Sequence, residues 1–324
     1  MSATSQTLLF IGQRLLAAAI QLAVISTIVF LMLYIMPGDP VRLLLGAESN
    51  PSPEAIAAMR HQLGLDQPML TQYLQWIGGV LHFDFGASIT NGVPVATYIV
   101  SSLPRTLELA FASILIAIVV GVPAGIAAAR NRGGMIDGVL TTLSTLGVSV
   151  PVYILGSLFI VVFSLKLGLL PSSGYTDISR NAVEHFRKLA LPAFTLGFGL
   201  ASSIARMTRA SMLEILSRDF VVALKAKGLA PSVIIYKHVL RNASIPIVAI
   251  IGLQLGNLMG GTVLVEALFN WPGMSTQLVS AVGSRNYPLV QGSVLVIAAL
   301  FIFINMFVEI IYGILDPRIR RKRS

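Results

Sequence analysis

Cysteine is absent from the 324-residue chain, which excludes disulfides, thiolate metal sites and a cysteine nucleophile. Charge is scarce. Only 11% of residues are Asp, Glu, Lys or Arg, where a soluble domain uses about a quarter to cover itself against water. A glycine-rich phosphate loop of the Walker type is missing too, so the chain itself is not expected to hydrolyse ATP. The four histidines, His61, His82, His185 and His238, are too scattered for a zinc pattern. What fills the chain instead is apolar: 55% of residues are hydrophobic and the mean hydropathy is +0.81. The net charge of +9 sits at the ends of apolar runs rather than in a stripe, which argues against nucleic acid and for a membrane.

Six uncharged runs are long enough to cross a hydrocarbon core: 15–36, 109–129, 139–165, 189–205, 243–265 and 289–308. The first follows Arg14 but is longer than a signal core, so it reads as an uncleaved span. The third is long enough to be tilted or broken, with Pro151 as its kink point. None of the six contains Asp, Glu, Lys, Arg or His, which disfavours a secondary transporter or proton-coupled carrier, since these place binding groups inside the membrane. With both termini inside, the inside segments hold 15 of the 23 basic residues and 5 of the 14 acidic ones. The seven basic residues between Arg206 and Arg241 decide that orientation. The basic tail from Arg318 to Arg323 reads as an anchor to anionic head groups.

Two connections are too long to be turns. In residues 37–108, Ser52 can cap a helix that opens on Pro53 and Glu54 and ends at Gly64, and 69–82 is a second amphipathic stretch. In residues 206–242, a short helix over 220–227 stops at Gly228, and Pro231 opens another over 232–241 that runs into the fifth span. That span carries Gly252, Gly256 and Gly260 at four-residue spacing, and two amides, Gln254 and Asn257, on one face. The glycines form a ridge for close helix approach, either within one bundle or where two membrane subunits meet beside a pathway. Gln21 and Asn305 read as interhelical glue.

The stretches Asp219-Phe220-Val221-Val222-Ala223-Leu224-Lys225-Ala226-Lys227-Gly228-Leu229 and His238-Val239-Leu240-Arg241-Asn242-Ala243-Ser244-Ile245-Pro246 resemble the coupling-loop signature of ABC importer permeases in the peptide/nickel branch. Met36-Pro37-Gly38-Asp39-Pro40, Gln62-Leu63-Gly64-Leu65-Asp66-Gln67-Pro68, Phe269-Asn270-Trp271-Pro272-Gly273 and Tyr287-Pro288-Leu289-Val290-Gln291 match the same branch in order along the chain. The match departs in two places: Val222, Ala223 and Leu224 stand where the general signature has Glu, Ala, Ala, and Asn286 stands where the branch is often acidic.

The resemblance implies an all-α bundle of six transmembrane helices with a cytoplasmic coupling helix, in the inner membrane of a bacterium. It divides the chain into residues 1–108, a first span with a folded external loop; 109–316, a permease core; and 317–324, the tail. It implies as partners a second, similar permease, two ATPases that bind ATP and Mg, an external substrate-binding protein and membrane lipid, with no cofactor in this chain. Arg218, Asp219, Ala223, Lys225, Ala226, Lys227, Gly228, His238, Arg241 and Asn242 would serve ATPase coupling. Gln254, Asn257, Gly252, Gly256 and Gly260 would serve the path or subunit packing, and Asn270, Trp271, Pro272 and Tyr287 an external gate or binding-protein contact. The expected solute is a short peptide, the alternatives being a nickel chelate, glutathione, or an opine or sugar conjugate. A secondary carrier or channel is the competing class.

Overall fold

The computed structural model describes residues 3–35, 52–62 and 64–315, and in these the chain is helical, with one isolated β-type pairing between Ala87 and Pro94. In chain order the helices are α1 (Ala3–Ile35), α2 (Pro53–Gln62), α3 (Met69–Leu81), α4 (Val95–Arg130), α5 (Met135–Ser149) and α6 (Val152–Phe159), followed by α7 (Ala182–Leu216), α8 (Asp219–Ala226), α9 (Leu240–Leu268), α10 (Met274–Gly283) and α11 (Tyr287–Leu315). Five segments are long and apolar enough to cross a membrane, and α5 with α6 makes a sixth if the pair counts as one span.

That pair decides between two sequence expectations. The run 139–165 is broken at Pro151 rather than tilted, two helices meeting at 113°. The cause is local. Proline clashes with a helical predecessor and pushes it into the extended region. Val150 accordingly sits at φ −83°, ψ 125°, and Pro151 itself at ψ 138°. Two consecutive extended residues end one helix and aim the next. Beyond α6 the turns widen to π-helix over Ile160–Lys166.

One compact unit comprises Thr106–Pro272 with flanking pieces of the terminal helices. Its centre is α7, started by Asn181, whose side chain accepts the Glu184 amide at 3.1 Å. Helix α4 lies so close to α7 that a Cβ on Gly121 would come 2.7 Å from the Ala201 carbonyl oxygen. Backbone approach of this kind is how helices associate where lipid offers no hydrophobic gain. At one end Arg209 on α7 holds Asp137 on α5 through two parallel bonds of 2.6 and 2.8 Å, and the Gly133 amide donates to the same carboxylate at 3.0 Å. The bidentate fork fixes the α4–α5 turn against α7.

The second unit comprises Ile11–Arg105 and Gly273–Phe303. Ser52 caps α2 as its position promises, accepting the Ala55 amide at 3.2 Å. The Glu54 carboxyl is held below its ordinary value by its backbone amide and by the Ser52 hydroxyl. The second helix of the connection, α3, packs against α1. Phe30 of α1 packs edge-on to Tyr73 of α3 with ring centroids 5.4 Å apart, Trp76 joins them, and the Tyr73 and Ser26 hydroxyls lie 2.9 Å apart. Phe85, Val95, Ile99, Met274, Leu289 and Leu295 form this unit's core.

Candidate coupling site

Helix α8 has eight residues, and an isolated helix that short does not hold in water. Packing on one side makes it possible. Val221 is fully buried in a cluster with Ile126, Met212, Ile215, Ile234 and Val239, and Leu224 packs against the same cluster. The helix ends in a complete Schellman motif: the Leu229 amide donates to the Leu224 carbonyl at 3.3 Å, and the Gly228 amide to the Lys225 carbonyl at 2.9 Å. Gly228 has φ +75°, the left-handed conformation that stop signal calls for. Pro231 then opens the next helical turn, Pro231–Val233.

From there the sequence reading needs one change. The segment over 232–241 is not plain α-helix, because Ile234–Val239 is π-helical before α9 begins at Leu240. Ile234 and Val239 are both buried in the cluster that holds Val221. They are five residues apart, one hydrogen-bonded turn of a π-helix, and so reach the same side.

The face of α8 turned away from this cluster carries Asp219, Val222, Ala223, Ala226 and Lys227, all exposed. Val222 is 62% exposed and Phe220, at the edge of the face, 37%. Arg218 precedes the helix and pairs with Glu214 at 2.8 Å, both side chains exposed. Arg241 and Asn242 are exposed on the first turn of α9, Asn242 donating to the carbonyl of half-buried His238 at 2.7 Å. Lys225 separates from the rest: it lines a groove between α8 and the ends of α4 and α7, not the outer face.

The other candidates divide. Gly256 packs inside this chain, since a Cβ there would lie 2.6 Å from Asn305 Oδ1 on α11. Gly252 is buried and Gln254 half-buried on α9. The surroundings of Asn257 and Gly260 lie outside the described residues. At the far end of α9, Asn270 is exposed at φ +50° and Pro272 half-buried, while Trp271 is fully buried against Tyr175, ring centroids 5.0 Å apart. Tyr287 is 2% exposed. Both aromatics are buried within this chain, and of the four residues Asn270 is exposed and Pro272 half-buried.

Three polar features escaped the sequence reading. His185, fully buried on α7, has Nδ1 2.7 Å from the Thr176 carbonyl and Nε2 2.6 Å from Glu108 Oε1 on α4. A carbonyl can only accept, so Nδ1 donates to it and Nε2 faces the carboxylate. Glu266 is fully buried and accepts the Thr106 hydroxyl at 2.7 Å. Asn286 donates to Ser88 Oγ at 2.7 Å and accepts the Ile89 amide at 3.2 Å, fixing the loop before α4 to the turn before α11. The signal available was a charged or amide side chain set directly at a span end.

Residues 121–321 match the model of the family described as binding-protein-dependent transport system inner membrane component, and residues 7–110 match its N-terminal companion. The chain belongs to this family. Similar permeases include the "Probable peptide ABC transporter permease protein" of Sinorhizobium fredii, 37% identical over 96% of this chain and 99% of that one. The "Glutathione transport system permease protein" of Escherichia coli is 40% identical over 97% of this chain and 99% of its own length. Among solved structures, the inward-facing MetNI methionine ABC transporter superposes with TM-score 0.57 at 21% identity, covering 68% of this chain and 96% of that one, a likeness of fold. The chain is therefore a membrane-spanning permease subunit of an ABC importer, which agrees with the helical bundle and with the absence of a phosphate-binding loop.

Proposed function

We propose that this permease forms half of the pathway for short peptides and takes its power stroke through α8. The observation that carries the stroke is the two-sided build of that helix. A soluble end of a membrane protein gains nothing by exposing Val222, Phe220 and Ala223 to water, whereas a partner surface would cover them. The opposite side is bolted to α7 and the start of α9 through Val221, Ile234 and Val239, so a push on α8 reaches two spans. The partner is an ATPase subunit holding ATP and Mg, one of two in a complex with a second permease and an external binding protein, and Ala223, Ala226, Lys227 and Asp219 meet it. Both termini are then cytoplasmic, Asn270 and Pro272 face the binding protein, and Gln254 and Asn257 sit along the path. Residues 1–108 serve as an external accessory to a core of 109–316, with 317–324 as the basic tail.

The peptide reading is supported by the names of two relatives, one a peptide and one a glutathione permease, glutathione being itself a tripeptide. Uptake of labelled dipeptide and of glutathione by the reconstituted importer separates them.

The coupling reading is tested at Gly228. No atom lies within 4 Å of a Cβ there, so a side chain meets only backbone strain, about 1–2 kcal/mol for a left-handed β-branched residue. Gly228→Val should leave insertion and assembly intact while reducing transport per ATP hydrolysed. Full stimulated hydrolysis together with full transport would remove the coupling role from this turn.

A further inference from the structure

The groove that takes up Lys225 is open, about 640 Å³ in volume, and lies between the ends of α4 and α7, helix α8 and the turn at Pro231. Three cations rim it: Arg130, the last residue of α4; Arg132, exposed in the following turn; and Lys225. Arg209 and Arg218, at the same end, are each paired with a carboxylate. Among the described residues no carboxylate pairs with any of the three around the groove. The walls are apolar, formed by Leu213, Leu216, Leu229 and Ile235.

Depth is set by the sequence. Arg130 directly follows the uncharged run 109–129, about the length that crosses one hydrocarbon core. The three cations therefore stand at head-group level, and the apolar walls continue toward the acyl region. Unpaired positive charge above an apolar wall, at that depth, matches a phosphate ester carrying an acyl chain. A free phosphate would leave the wall uncovered.

We propose that the groove binds one anionic phospholipid of the adjoining leaflet. Its phosphate sits among Arg130, Arg132 and Lys225, with the guanidinium forks on its oxygens, and the first part of an acyl chain lies along Leu213 and Leu216. The lipid lies beside α8 along its Lys225 flank, and so braces that helix against the ends of α4 and α7.

The test uses the assembled importer, equilibrated with vesicles of equal phosphatidylglycerol and phosphatidylcholine, washed, and analysed for retained lipid by mass spectrometry. The parent should retain phosphatidylglycerol preferentially. The triple variant Arg130→Gln, Arg132→Gln, Lys225→Gln should lose that preference by about ten-fold or more, given roughly 1 kcal/mol per cation near an anionic surface. Arg132→Gln alone, an exposed turn residue whose loss leaves the helices untouched, should lose part of it. The control Lys237→Gln removes an exposed cation outside the groove and should retain it. Unchanged retention in the triple variant overturns the proposal, as does equal loss in the control, which would mean diffuse surface charge. Loss of the ATPase subunits from the triple variant with lipid retention unchanged would also overturn it and assign the groove to a protein carboxylate. Because the readout is bound lipid, its failure is distinguishable from failure of the coupling reading, which is read in transport.

Discussion

The turn at Gly228 and the turn at Asn286 both reverse the chain through a residue in the left-handed region, Gly228 at φ +75° and Arg285 at φ +52°. A Cβ on Gly228 would meet no atom within 4 Å, the preceding helix shows an exposed face that includes Val222, and apolar contacts hold it from behind. Around Asn286 everything is closed. Its amide is buried, its donors and acceptor are spent on Ser88, Thr90 and Ile89, and Tyr287 beside it is 2% exposed. Apolar packing is indifferent to direction and can transmit a push while tolerating small shifts. A buried three-way hydrogen-bond set has one geometry and breaks when it moves. The first is suited to a moving contact and the second to a fixed frame.

The largest expected effect breaks the apolar side of that contrast. Val221 is fully buried behind α8, so Val221→Asn places an unpaired amide in the cluster, costing about 1–3 kcal/mol beyond the lost packing. The helix should come loose from the bundle, seen as faster hydrogen exchange over 219–229 with the spans still protected. Unchanged exchange there would mean that the cluster does not hold α8.

The next breaks the polar side. Asn286→Ala strands the Ile89 amide, a cost of about 1–3 kcal/mol, and should lower the melting temperature of the detergent-solubilised permease. The smallest sharpens the same point. Asn286→Asp keeps an acceptor for Ile89, and the Ser88 and Thr90 hydroxyls can turn to donate, so its melting temperature should stay near that of the parent. A carboxylate as damaging as alanine would contradict the hydrogen-bond account.

What was legible in the sequence was local. Ser52, Gly228 and Pro231 act on their own neighbours within a few residues, and the structure uses each as its chemistry demands. The apolar runs marked the spans because composition alone decides what can face lipid. Proline shows where this ends. Pro151 separates two helices at 113°, while Pro192 and Pro246 lie inside continuous helices. The residue is the same and the packing around it decides. The π-helical stretch over Ile234–Val239 was hidden for the same reason, since it follows from which side chains the core accepts. The long-range polar pairings were not legible at all. Asn286 meets Ile89 across 197 positions and His185 meets Glu108 across 77, and no local period carries such a pairing. The glycine ridge was legible as a ridge, but its facing residue at Gly256, Asn305, was not.

The central claim is that the exposed face of α8 is where an ATPase subunit docks. The chain has no cysteine, so Ala223→Cys gives a single reactive thiol on that face, and Ser284→Cys gives one on the exposed turn beside Asn286. With a short thiol-to-amine crosslinker applied to the assembled importer, the account predicts a product between Ala223→Cys and the ATPase subunit and none from Ser284→Cys. An ATPase product from Ser284→Cys with none from Ala223→Cys would take the docking face away from α8 and contradict it.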